Sequence, residues 1–376
     1  MLKKINASLN EKLQNVQWGE YRIGDLFNSE NGDFDIQKSH INDLGEYVIT
    51  AGLTNDGVLG KTNVNAKIID GNTITIDMFG NSFYRQFKYK MVTHARVFSL
   101  IPKFNMNKKQ GLYIVNSFKY LMFDFGYENM CSWAKIQNNI IQLPTKDGEI
   151  DFEFMESFIS ELEEERISEL SAYLKVSGLD NYELSKEEKE VLENFDLFIN
   201  NWDSFKIQDV FDVKSSKKKF DANKIKILKH GFPYIVRMST NNGIKGYLKE
   251  DEQFLNKGNT IAFGQDTATM FYQEKPYFTG DKIKILECKY DKFNKINSMF
   301  LISTMKKSFS TFSWGASSFS EKAINNQEIK LPTKNNEIDF SYMELLISAV
   351  QKLVIKDVVL YTDNKIESTK QIVSKN

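Results

Sequence analysis

Four lysines, Lys214, Lys217, Lys218 and Lys219, crowd into one short stretch beside the aromatic Phe220. Ammonium groups on flexible stems neutralise phosphates and release counterions without reading any sequence, so the run suits a polyanion. A solvated lysine surface is the plain alternative. The other residues with chemical potential assemble no reaction centre. His40, His94 and His230 are scattered, with no second ligand at metal spacing, so no metal is expected. Gly60-Lys61-Thr62 approaches a phosphate loop, but Asn55 stands where the first glycine belongs. Both glycines are needed to bring backbone amides onto a phosphate, so the segment reads as a turn and a strand start. Cys131 and Cys288 belong to no CxxC pattern, which argues against a disulfide scaffold or a cysteine zinc site and fits a reducing compartment.

The net charge of −1 argues against a polyanionic partner only until it is divided along the chain. Residues 1–17 carry +2, 18–146 carry +2, 147–201 carry −13, 202–334 carry +9 and 335–376 carry −1. Two basic stretches are thus joined by an acidic connector, the distribution expected if the basic parts touch a polyanion and the connector does not. The acidic block is equally readable as a solvated helix face. The first 17 residues are polar, and no stretch approaches ~18 consecutive apolar residues, so a cytoplasmic protein without a membrane span is expected.

These residues sit in a chain that says nearly the same thing twice. Trp18-Gly19-Glu20-Tyr21-Arg22-Ile23-Gly24-Asp25-Leu26-Phe27 returns as Trp202-Asp203-Ser204-Phe205-Lys206-Ile207-Gln208-Asp209-Val210-Phe211, and Gly71-Asn72-Thr73-Ile74 as Gly258-Asn259-Thr260-Ile261. Leu143-Pro144-Thr145-Lys146 before Asp151-Phe152 is restated by Leu331-Pro332-Thr333-Lys334 before Asp339-Phe340. A unit of this length is a whole domain, well beyond the roughly 20 to 50 residues of solenoid repeats. Such a pseudo-dimer suits a ligand that is itself two-part.

Between Trp18 and Pro144, short runs rich in Val, Ile, Phe, Tyr and Thr are broken by Asn31-Gly32, Asp56-Gly57, Asp70-Gly71 and Gly80-Asn81, which predicts strands and turns. Residues 72–78, 96–101 and 260–264 are predicted strands; 111–124 and 297–309 are one predicted helix in each copy. Trp18 and Trp202, each before an alternating strand pattern, are expected in the core. From Asp151 the grammar becomes helical, with Phe152, Met155, Ile159, Leu162 and Leu170 on one stripe and Asp151 as N-cap. Met343, Leu346, Val350 and Leu353 form the matching stripe of the second copy. Rods of roughly 35 to 50 Å follow at 1.5 Å per residue, and their stripes are expected to face each other. The predicted fold is α+β: two similar domains separated by two long antiparallel helices, a coiled-coil-like spacer with approximate two-fold symmetry. The expected boundaries are 1–147 for the first domain, 148–200 for the central helical connector, 201–335 for the second domain and 336–376 for the C-terminal spacer helix.

This layout, with Asn72-Thr73-Ile74-Thr75-Ile76-Asp77-Met78-Phe79-Gly80-Asn81 and the twice-written Leu-Pro-Thr-Lys linker, resembles the specificity subunits of type I restriction-modification systems and of related systems with bipartite targets. The resemblance covers essentially the whole chain. It implies two target-recognition domains, each reading one half of a split double-stranded DNA sequence. It further implies a helix pair that sets the gap and docks methyltransferase subunits, with a motor and restriction subunit as an optional further partner. S-adenosylmethionine, Mg and ATP are then expected only in those partners, and no cofactor in this chain. The chain itself has no Asn-Pro-Pro-aromatic loop for a flipped adenine and no Pro-Asp start of a nuclease motif, so no catalytic residue is assigned. An autonomous enzyme is therefore disfavoured. A duplicated protein-binding scaffold with no DNA role is the alternative, separable by salt, because DNA affinity falls steeply between about 50 and 200 mM.

Base edges in the major groove demand paired donors and acceptors, Arg for guanine and Asn or Gln for adenine. Arg237, Asn241, Asn242 and Gln265 meet that need in the second domain, with Lys245 and Thr267 beside them. In the first domain the counterparts are Asn55 and the turn Phe79-Gly80-Asn81, followed by Arg85, Lys88 and Lys90. Each of these residues taken singly is also readable as a turn-former or a local hydrogen-bonder.

Overall fold

A computed structural model of the chain describes residues 7–199, 202–310 and 319–373. It divides into two compact units, one built from the residues up to Leu170 together with the chain's end from Lys365, the other running from Ser171 to Asn364. Each unit holds one repeat, and the main sheets of the two repeats match in strand order.

In the first, a four-stranded antiparallel sheet runs Phe27–Asn31, Phe98–Pro102, Thr73–Ile76, Ser82–Arg85. In the second, the same order is Phe211–Ser215, Ile283–Cys288, Thr260–Gly264, Met270–Gln273. Beside each lies a smaller sheet whose central strand pairs antiparallel on one side and parallel on the other. Glu46–Ile49 is flanked by Val58–Thr62 and Tyr89–Met91; Phe232–Ile235 is flanked by Ile244–Leu248 and Phe278–Thr279. The entering and leaving segments also pair, Trp18–Arg22 with Ile140–Lys146 and Asp203–Lys206 with Glu328–Leu331, so each domain is closed by its own ends.

The central strands Thr73–Ile76 and Thr260–Gly264 are buried throughout, which is why they read as apolar and β-branched runs rather than alternations. The first is shorter than its predicted 72–78 because Asp77 turns the chain. Expected as one helix, residues 111–124 are instead three pieces, Lys108–Ile114, Val115–Phe118 and Leu121–Asp124. The Asn116 side chain donates to the Leu112 carbonyl at 2.8 Å, the kind of local bond that competes with helix propagation. Its counterpart Lys295–Phe309 is continuous.

The two tryptophans part company. Trp202 packs against Phe195, Phe300 and Tyr342. Trp18, expected in the core, is 45% exposed. Its strand is paired on one side only, with Trp18 opposite Pro144, and the core positions are taken by Ile23 and Phe27.

The long helices are Phe152–Val176 and Phe340–Val373. Each begins on an aspartate whose carboxylate accepts a first-turn amide, Asp151 from Phe154 at 2.8 Å and Asp339 from Tyr342 at 3.0 Å. Their first turns differ from the expected inter-helix seam. Met155 and Ile159 are buried in the first domain's core, with Phe152 and Leu162 packed against it; Met343 and Leu346 are buried in the second domain's core. Leu170 is half-buried. Val350 and Leu353, further along, are 42% and 50% exposed. The apolar stripe thus serves first to root each helix in its own domain. Among the described residues, no helix is long and apolar enough to cross a membrane.

Candidate DNA-recognition surface

Matched polar contacts hold the loops of both domains. The buried Tyr89 hydroxyl bonds Thr73 Oγ1 at 2.8 Å and Ser99 Oγ at 2.5 Å; Tyr277 bonds Thr260 Oγ1 at 3.0 Å. Burial pushes both phenols above their ordinary pKa, so they stay neutral. Tyr84 donates to Asn72 Oδ1 at 2.5 Å, and Tyr272 to Asn259 Oδ1 at 2.9 Å. These ties pin the bases of two hairpins whose tips are residues 77–81 and 265–269.

A second loop in each domain is a left-handed turn. Asn55, Asp56 and Gly57 have φ of 48°, 52° and 75°; Asn241, Asn242 and Gly243 have 50°, 53° and 74°. Such angles are tolerated by Asn, Asp and Gly, which explains the repeated Asn-rich text. Asn55 and Asn241 spend their side-chain amides closing the turn, on the Val58 carbonyl at 3.0 Å and the Ile244 carbonyl at 2.7 Å. Asn242 donates to the Tyr272 carbonyl at 3.1 Å, which leaves its side-chain oxygen available.

Two expected contact residues prove to be internal. Arg85, 2% exposed, donates to the Asp56 carbonyl at 2.6 Å and to Thr75 Oγ1 at 2.9 Å. Its guanidinium braces the left-handed turn from beneath, and burial pushes its pKa down to about 10. Gln273, 3% exposed, holds the same place in the second domain and donates to the Asn242 carbonyl at 3.1 Å. Lys90, 4% exposed, donates to the carbonyls of Thr62 and Val64. Arg85 is the buried end of an otherwise half-buried strand and Lys90 the middle of a wholly buried one, places that carbonyl acceptors make habitable.

The hairpin tips differ. Asp77, 3% exposed, accepts from the amides of Gly52, Phe79 and Asn81 and from the Asn81 side chain, all at 2.9 Å. Asn81 is thereby 6% exposed and drawn inward, a correction to its expected role as a reader. Gly80 has φ of 79° and sits where a Cβ would lie 2.5 Å from the Leu121 backbone. Phe79 stays half-exposed, edge-on to the 76% exposed Tyr127 at 5.0 Å. In the second domain Asp266 pairs with Arg237 and, at 2.8 Å, with Lys282; Gln265 donates to the Phe319 carbonyl at 2.8 Å. Thr267 meets Thr269 hydroxyl to hydroxyl at 2.9 Å.

The lysine run lies on the surface but is not free. Lys214 pairs with Glu287, Lys217 donates to the Gln253 carbonyl, Lys218 sits over Phe220 and Phe254 at 4.8 and 4.3 Å, and Lys219 pairs with Asp281 at 3.2 Å. Lys88 pairs with Asp70 at 3.1 Å. Sequence reasoning passed over a stronger cluster. Leu228 and Tyr247 exchange backbone hydrogen bonds at 2.8 and 3.1 Å, and around that bridge stand the exposed Lys226, Lys229, Lys245 and Lys249. Among the described residues none of these four has a carboxylate in ion-pair range. Of the four only Lys245 stands out in the sequence, because lysines scattered over 24 positions do not look like a patch until the sheet joins them.

Neither cysteine is poised as a nucleophile: burial pushes Cys131 up to about 12 and Cys288 up to about 11. Two matched scaffolds with dissimilar loop tips are what a pair of readers requires. The sequence profile of the type I restriction modification DNA specificity domain matches residues 15–172 and again 199–360. The chain belongs to that family. The chain is 22% identical over 347 residues, 90% of this chain and 96% of the relative, to the type II restriction enzyme BgcI specificity subunit S.BcgI of Heyndrickxia coagulans. The fold of the specificity domains is similar to that of the type I restriction-modification S subunit from M. genitalium, with a TM-score of 0.57 and 15% identity over 99% of this chain and 96% of that one.

Proposed function

We propose that this specificity protein reads a split DNA target, one half by residues 1–147 and the other by residues 201–335, and leaves the chemistry to its partners. The observation that carries the reading is duplication of the scaffold without duplication of the tips: the tyrosine ties recur, while the loops at 77–81 and 265–269 present different groups. Different tips on one scaffold read different half-sequences.

Residues 148–200 and 336–376 serve as connector and spacer. Helices of 25 and 34 residues are about 38 and 51 Å long at 1.5 Å per residue, the scale of one DNA turn of about 34 to 36 Å. Helices of that length set the gap between the two half-sites. Val350, Leu353 and Val354, exposed along the second helix, offer an apolar strip for methyltransferase subunits. Those subunits bring S-adenosylmethionine and methylate a flipped adenine; a motor and restriction subunit adds ATP-driven cleavage. This chain contributes no catalytic group, no metal and no cofactor, and acts in the cytoplasm.

The test is exchange of residues 202–334 for the corresponding domain of another family member, followed by methylome sequencing. One half of the split motif should change and the other half persist. Change in both halves, or a methylated sequence with no gap, would overturn the assignment.

A further inference from the structure

Each recognition domain is bonded to its long helix by the same three-residue polar cluster. In the first, Asn107 opens the helix Lys108–Ile114 with a reciprocal cap: Asn107 Oδ1 accepts the Gln110 amide at 3.0 Å, and Gln110 Oε1 accepts the Asn107 amide at 2.9 Å. That leaves Asn107 Nδ2 and Gln110 Nε2, and both donate to a single oxygen, Glu156 Oε1, each at 2.7 Å. Glu156 lies one turn into the long helix. In the second domain Asn294 and Asn297 cap each other at 2.9 and 3.2 Å, and their remaining amide nitrogens donate to Glu344 Oε1 at 2.6 and 2.9 Å.

The surrounding sequence diverges between the repeats, and one member of the trio differs too, Gln110 against Asn297, yet the geometry is reproduced. Apolar packing by Met155 and Ile159, or by Met343 and Leu346, already roots each helix. Packing is non-directional and tolerates a slide; two charge-assisted bonds to one carboxylate oxygen do not. A shift of one residue along the helix moves that oxygen by about 1.5 Å and turns it by roughly 100°, which breaks both bonds.

We infer that Glu156 and Glu344 are positioning residues that lock the phase of each recognition domain on the spacer, and so restrict the protein to one gap length between half-sites. This rests on the bipartite reading proposed above. Each carboxylate oxygen is engaged by two amides of its own domain, so its loss should leave half-site sequence unchanged.

The experiment uses the full chain with its methyltransferase partners on a DNA library that keeps both half-sites and varies the gap by one and two base pairs. Wild type should methylate one gap. Glu156→Ala and Glu344→Ala should raise methylation at neighbouring gaps by about tenfold relative to the parent gap, the worth of one hydrogen bond to a charged group. Half-site sequence should stay unchanged. Glu156→Gln, which keeps an oxygen for both amides, should restore the single gap. An alanine variant as strict about the gap as wild type would overturn the inference, as would one that loosens half-site sequence instead. Hydrogen exchange on the purified chain gives a reading independent of DNA. The amides of 108–114 should exchange about tenfold faster in Glu156→Ala while those of Thr73–Ile76 hold, and equal protection in both proteins would sink the lock. If wild type methylates no split target at all, the bipartite reading itself fails, whatever the exchange data show.

Discussion

In the first domain the hairpin tip folds inward around the buried Asp77, whereas in the second Gly264 takes that place and the tip carries Asp266 out to Arg237 and Lys282. The domains also differ in charge, +2 for residues 18–146 against +9 for 202–334. Beneath these differences the tyrosine ties, the left-handed Asn turns and the carboxylate locks are the same. Two copies of one scaffold have therefore been specialised at their edges. The second carries the higher positive charge and an edge of exposed lysines, Lys226, Lys229, Lys245 and Lys249. The first has a pre-shaped tip, rigid because every donor around Asp77 is satisfied.

The sharpest way to break that comparison is at Asp77. Asp77→Ala strands four donors and should cost the first domain about 3 kcal/mol, read as a lower urea midpoint. Asp266→Ala, at the outward tip of the second domain, removes only part-exposed ion pairs with Arg237 and Lys282 and should cost about 1 kcal/mol or less. An equal loss in both would refute the inward and outward distinction.

Next comes the lysine edge. Replacing Lys226, Lys229, Lys245 and Lys249 by alanine should reduce the slope of log affinity against log salt by about 3 to 4, since each neutralised phosphate contributes about 0.9. Half-site preference should persist. A slope that does not move would take the phosphate grip away from this edge.

A smaller contrast lies beneath the left-handed turns. Arg85→Ala removes a buried charged donor and should cost about 2 kcal/mol, while Gln273→Ala, the neutral counterpart, should cost about 1 kcal/mol. Both losses belong to stability and not to base preference. Discrimination lost selectively in Arg85→Ala with stability intact would return that residue to the reading surface.

The smallest expected effect depends on pH. Burial alone would raise the Glu188 carboxyl, but hydrogen bonds from Lys352, Ser348 and the Ser185 amide hold it below its ordinary value of 4.5. A carboxyl lowered by folding stabilises the native state above its unfolded pKa, and that stability is lost as pH falls through the folded pKa. The difference in unfolding midpoint between wild type and Glu188→Gln should thus be full at neutral pH and vanish in acid. A pH-independent difference at Glu188 would show that packing, and not the ion pair, is what the substitution removes.

Duplication, the α+β class, the start of both long helices and the family were legible in the chain alone. Each is carried by local text: Asn-Gly and Asp-Gly turns, apolar runs, an aspartate before a helical stripe, and a phrase written twice. Whether a polar side chain faces solvent is not local. Arg85 and Asn81 have the composition of readers, yet a strand position turns one inward and Asp77 captures the other. Trp18 has the composition of core, yet an edge strand leaves it outside. Lys226 and Lys249 become neighbours only because Leu228 pairs with Tyr247, and Glu156 meets Asn107 across 49 residues. Periodicity and turn chemistry act between residues a few positions apart, so a sequence displays them. Burial and polar partnership depend on which distant backbone arrives alongside, and that was decided by the tertiary fold.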